Sequence, residues 1–164
     1  LVNTGFDVRE VNADSTIIGD ILVIADPEEA LTPDEERNIL DYIGNGGNMI
    51  MTVEQENKDN VEGFLSVLGI QMADSIITLP GSPAAPELVP GMITAAADSL
   101  CRQFAEGMPV SMPTVASLTC SPADGWAAVP VLALPDGTAL AFALSRNVNG
   151  RGQRVMVIGE KKGS

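Results

Sequence analysis

The chain has 164 residues, 45% hydrophobic but only 4% aromatic, and sets nine Lys and Arg against twenty-two Asp and Glu, a formal charge of −13. That size suits one folded domain with an aliphatic core, and the charge excludes a phosphate-backbone partner and a basic face for anionic lipid. Histidine is absent altogether, which removes Ser-His-Asp and Cys-His nucleophile systems and every imidazole metal site.

In chain order, Phe6, Val8 and Val11 suggest an extended lead-in. Ile21-Leu22-Val23-Ile24-Ala25 is an uninterrupted aliphatic run ending at Asp26-Pro27, the pattern of a strand buried on both faces. Next comes a helix start: Thr32 as N-cap, Pro33 in the first helical position, and Glu35 three residues on to complete a capping box. Ile39, Leu40 and Ile43 form its inward stripe, and Gly46-Gly47 ends it. Met49 to Val53 is a second strand. Val61, Phe64, Leu65 and Leu68 recur at helical spacing before the stop at Gly69, predicting a second helix over residues 60–68. Residues 70–79 read as a further strand.

The middle changes character. The prolines and glycines from Pro80 to Gly91 predict a long surface loop, and residues 95–104 a short helix. Met108 to Pro113 reads as an apolar loop, with a partner surface as the alternative. The last third is β-rich. Val129 to Leu134 and Thr138 to Leu144 flank Pro135-Asp136-Gly137 as a hairpin, and a turn over residues 147–152 leads to a closing strand, Arg154 to Gly159, that returns to the sheet centre.

These elements predict a single soluble α/β domain over residues 1–164, with a mostly parallel sheet flanked by helices and a C-terminal antiparallel hairpin. In an open sheet of that kind ligands settle outside the carboxyl ends of the strands, where this chain carries Asp26, Glu54 and Glu160. Three carboxylates on one edge can hold a cation or an amine, or divide acid and base roles. As plain structure, they are solvated strand ends and helix caps. Gly44-Asn45-Gly46-Gly47 follows a helix and precedes a strand, the reverse of a phosphate cradle, so no cofactor is implied. No serine stands in a nucleophile-elbow context. Cys101 and Cys120 lack metal-type spacing. They read as two small buried thiols, or as a disulfide in an oxidising compartment. Trp126 reads as half-buried packing beside the hairpin, with a partner anchor as the alternative.

The series Ile21 to Pro27, Leu31-Thr32-Pro33-Asp34-Glu35, Leu40-Asp41-Tyr42-Ile43 and Gly46-Gly47-Asn48-Met49 resembles the auxiliary component of ABC-type transport systems linked to gliding motility. Leu68-Gly69-Ile70 and the finish from Ala141 through Arg146 and Arg154 to Gly159 are similar to that family as well. Where the family continues with Gly-Asp and a Ser-Asn pair, this chain has Gly159-Glu160-Lys161-Lys162. The resemblance implies a flavodoxin-like or class I glutamine-amidotransferase-like domain without that enzyme's catalytic residues. It implies a non-catalytic role on the extracytoplasmic (periplasmic) side of the cytoplasmic membrane, as a piece of a larger membrane-tethered protein. The implied partners are transporter permease or ATPase subunits or other envelope proteins, and an oxidising location would suit a Cys101–Cys120 bridge. The alternatives from other classes are a carboxylate-based hydrolase or carbohydrate-active domain using Asp26 with Glu54 or Glu160, and a small-ligand-binding module.

Overall fold

The computed structural model describes residues 9–77, 88–93, 109–113, 115–134 and 136–160. Phe6 and Val8 of the lead-in, the prolines between 80 and 86, the helix expected over 95–104, and Cys101 lie outside them.

The elements expected in the first half form, but the run Ile21 to Ala25 lies at the sheet edge with Ile21 and Val23 exposed, so it is not the strand buried on both faces that the sequence suggests. Strand β1 (Ile21–Ala25) runs parallel to β2 (Asn48–Glu54), joined by helix α1 (Pro33–Gly44). The Thr32 hydroxyl accepts from the Glu35 amide at 3.2 Å and the Glu35 carboxylate accepts from the Thr32 amide at 3.2 Å, so two amides left over at the helix start are satisfied reciprocally. A 3-10 turn (Gln55–Asn60) leads into α2 (Glu62–Leu68), shorter than the sequence predicts because the turn takes the preceding residues. Gly69 ends α2 in the left-handed region at φ 83°, where a Cβ would lie 1.9 Å from the Ser121 carbonyl oxygen. Only glycine satisfies both conditions.

Beyond α2 the regular elements among the described residues are all strands: β3 (Ile70–Ile77), β4 (Leu88–Ile93), β5 (Pro109–Pro113), β6 (Val115–Cys120), β7 (Ala127–Ala133), β8 (Ala139–Val148) and β9 (Arg151–Glu160). Seven strands make one sheet in the order β1-β2-β9-β8-β7-β4-β5, and β3 and β6 form a separate antiparallel ribbon. The closing strand β9 does return to the interior of the sheet, between β2 and β8.

This corrects the expected fold class. Only the pairs β1–β2 and β2–β9 are parallel; the pairs β9–β8, β8–β7, β7–β4 and β4–β5 are antiparallel. The sheet is mixed, and the described helices cover one face, not two. Two further readings fall with it. Leu88 to Gly91 belongs to β4 rather than a loop, and Pro109 to Pro113 forms β5, at the sheet edge. Proline lacks the amide a central strand must donate, and an outermost strand such as β5 leaves one side's amides unpaired anyway. Run-length signals report burial, not direction; direction is set by connections, and the short turns around Gly137 and at Asn149-Gly150 permit only antiparallel return.

Both helices and the β3–β6 ribbon pack on the same face. Met49, Met51 and Val53 of β2 and Val155 and Val157 of β9 point there and meet Ile39 and Ile43 of α1, Phe64 and Leu68 of α2, and Leu118 of β6. The opposite face carries the alternate residues. One row crosses it in register: Val23, Ile50, Met156, Ala143, Val129. Along that row exposure falls from 65% at Val23 and 37% at Ile50 to 4% at Ala143, and Ile21, next to Val23 on this face, is 51% exposed. At the β7–β8 end Ala143 is buried and Val129 partly buried; the β1–β2 end is open and apolar. No helix among the described residues is long and apolar enough to cross a membrane.

Candidate functional site

Three surfaces carry side chains with chemical potential. The first is the edge where the sequence places Asp26, Glu54 and Glu160, and the structure does bring them together. Glu54 and Glu160 are direct register partners on β2 and β9, and Asp26 stands one residue past β1. Asp26 is however fully engaged. One carboxylate oxygen accepts from the Glu54 amide at 2.8 Å and the other from the Asn57 side-chain amide at 2.8 Å, while its own amide donates to the Thr52 carbonyl at 2.9 Å. Its φ of 36° lies in the left-handed region, which a short polar side chain tolerates when bonded locally. Asn60 adds a bond to the Pro27 carbonyl at 2.9 Å. Asp26 thus clamps the end of β1 to the 3-10 turn, a structural role. No group of three metal-ligating side chains is arranged to hold an ion among the described residues.

The second surface is the open β1–β2 face. Its outward side chains are Ile21, Val23 and Ala25 on β1 and Ile50 and Thr52 on β2, continuing to the half-buried Met156 and Ile158 on β9. By strand alternation, Glu54 and Glu160 close the same face at its carboxyl end.

The third was not anticipated from the sequence. An open groove of about 530 Å³ runs between Gly125-Trp126 and the β8–β9 strands, where Arg146 and Arg154 line it. The Arg146 guanidinium lies 4.1 Å from the Trp126 ring centroid. It also donates to the Gln153 side-chain oxygen at 2.6 Å and to the Ile43 carbonyl at 3.0 Å. Gln153, nearly inaccessible, donates to the Ile43 and Gly47 carbonyls at 2.7 and 2.6 Å. Helix α1 carries no basic residue in its last turn, so these two residues from β8 and β9 supply the donors its C-terminus lacks. Trp126 is partly buried against the main core, as the hairpin reading predicts. The sequence signal was present in Arg146 and Gln153, but their pairing opposite one another depends on the β8–β9 register and cannot be read from spacing alone.

Cys120 is a free thiol on β6, half-buried against the core, and desolvation pushes its pKa up, away from the reactive thiolate. Its suggested partner Cys101 lies outside the described residues.

No protein-family model and no curated protein matches the chain. Among solved structures, the mmIFT52 N-terminal domain matches with a TM-score of 0.68 at 17% identity, covering 97% of this chain and 75% of that one. Agd3, described as a novel carbohydrate deacetylase, matches with a TM-score of 0.49 at 16% identity, covering 93% of this chain and 24% of that one. At such identity the first likeness shows a shared fold, and with it the mixed-sheet architecture.

Proposed function

We propose that this chain is a non-catalytic interaction domain of a membrane-transport assembly, acting by protein contact through the open β1–β2 face. The observation that carries the reading is the exposure of Ile21, Val23 and Ile50 side by side on a sheet face whose other end is buried. Contiguous apolar surface left in water favours a partner. A second copy is a poor candidate, since each brings a charge of −13. The occupant we infer is an amphipathic segment with an apolar side for the Val23–Ile50 strip and basic residues toward Glu54 and Glu160. The transport context rests on the resemblance of the capped-helix and strand series, which also motivates permease or ATPase subunits or other envelope proteins as partners and an extracytoplasmic location. The carboxylate-hydrolase alternative is weakened because both oxygens of Asp26 already accept bonds from the chain itself.

The test is reconstitution with the permease and ATPase subunits encoded beside the parent gene. Binding is expected for the native chain and lost in Val23→Lys, which sets a cation against a basic partner. Equal binding by both, or none by either, would contradict the reading.

A further inference from the structure

We propose that the outer edge of β1 accepts an extended basic segment of a partner protein, which joins the sheet as an antiparallel eighth strand. The site is made of backbone rather than side chains, so it does not rest on the transport reading or on the face contact above. Its basis is the direction of the β1 peptide groups. The Asp26 amide donates to the Thr52 carbonyl at 2.9 Å, and at the other end the Asp20 carbonyl accepts from the Asn48 side chain at 3.3 Å. The even-numbered residues therefore aim their backbone at β2. Backbone groups alternate along a strand, which turns the amides and carbonyls of Ile21, Val23 and Ala25 outward. β1 is outermost in its sheet and, among the described residues, pairs with β2 alone.

Edges of this kind are ordinarily guarded by proline, charge or a bulge. The outermost strand at the other end of the sheet, β5, carries Pro109 and Pro113. β1 carries none of these devices: it reads Ile-Leu-Val-Ile-Ala in unbroken register with β2. Charge then selects the occupant. Asp20 precedes the strand and Asp26 follows it, with Glu28 and Glu29 exposed just beyond. A second copy pairing antiparallel about Val23 would set each Asp20 opposite the other copy's Asp26, a repulsive placement at both ends. A segment with Lys or Arg at its two ends and β-branched residues between them reverses that sign. Its residues opposite Ile21, Val23 and Ala25 share their face and extend the apolar row. Antiparallel addition is favoured because its directly opposed bonds are slightly more stable per residue than slanted parallel ones.

The probe is the capped peptide Lys-Val-Thr-Val-Thr-Val-Lys, whose valines fall opposite Ala25, Val23 and Ile21, and the readout is amide hydrogen exchange of the native chain by NMR. In the free chain Ile21, Val23 and Ala25 should exchange fast while Leu22, Ile24 and Asp26 are protected. Saturating peptide is expected to slow the first three at least about tenfold. A peptide N-methylated at its three valines loses the donors that face β1 and should not bind. One N-methylated at its two threonines, whose amides face away, should bind as the parent does. Val23→Pro removes one outward amide, spares the ladder to β2, and is expected to weaken the parent peptide at least about tenfold. Protection of the three amides already in the free chain, equal behaviour of the two methylated peptides, or full affinity in Val23→Pro would each overturn the proposal. A failed reconstitution with transport subunits leaves these exchange rates unchanged, so the two readings fail separately.

Discussion

Gln153 shows how much of the molecule rests on single side chains. Its amide nitrogen bridges the carbonyls of Ile43 and Gly47, joining the end of α1 to the start of β2 on the helix-covered face of the sheet. Gln153→Leu fills the same space but leaves the Gly47 carbonyl without this donor, and a loss of about 2–3 kcal/mol is expected in denaturant unfolding. Gly69→Ala should cost more, roughly 2–4 kcal/mol, because left-handed backbone and a collision with the Ser121 carbonyl act together. Asp26→Ala is expected to lower stability by about 1–3 kcal/mol through the released Glu54 amide and Asn57 side chain, while leaving partner binding intact. Burial raises the pKa of the Tyr42 hydroxyl, which donates to the Asn48 carbonyl, and that of the Cys120 thiol. A raised folded pKa means the folded chain keeps protons that the unfolded chain releases. Stability is therefore held at neutral pH and falls as pH rises beyond about 8.5, first through the thiol and then through the phenol. Unfolding midpoints measured across that range should show the fall, and Tyr42→Phe should flatten its upper part.

At the scale of elements, legibility in the sequence tracks how local the determining physics is. The α1 start was readable because Thr32, Pro33 and Glu35 act on amides within one turn. Thr32→Ala should accordingly cost about 1 kcal/mol, checked by thermal unfolding. The stop at Gly69 and the β7–β8 hairpin were readable for the same reason. By contrast, β4 and β5 hide behind Pro90, Pro109 and Pro113, residues that argue against strand until their place at or near the sheet edge is known. The gathering of Asp26, Glu54 and Glu160 at one strand-end edge is readable from the sequence, but nothing in spacing tells that Asp26 turns back onto the Glu54 amide. The Trp126–Arg146 groove was illegible because its parts come from three segments joined only by β-sheet register.

Taken as a whole molecule, the sheet is asymmetric in two directions. Across its thickness, helices and the β3–β6 ribbon cover one face while the β1–β2 end of the other stays open. Along its strands, β9 begins at Arg151 and Arg154 and ends at Glu160, beside Glu54, so one rim is basic and the other acidic. The open face is the feature on which the functional account turns. Val23→Lys should leave stability within about 0.5 kcal/mol of the native chain, because Val23 already stands in water. The most direct measurement is a methyl-resolved NMR titration with an amphipathic Leu/Lys helical peptide, compared with a scrambled peptide of identical composition. Shifts confined to Ile21, Val23, Ile50, Met156 and Ile158, seen with the amphipathic peptide and not the scrambled one, are the expected result. Shifts spread over the acidic surface, or alike for both peptides, would contradict it.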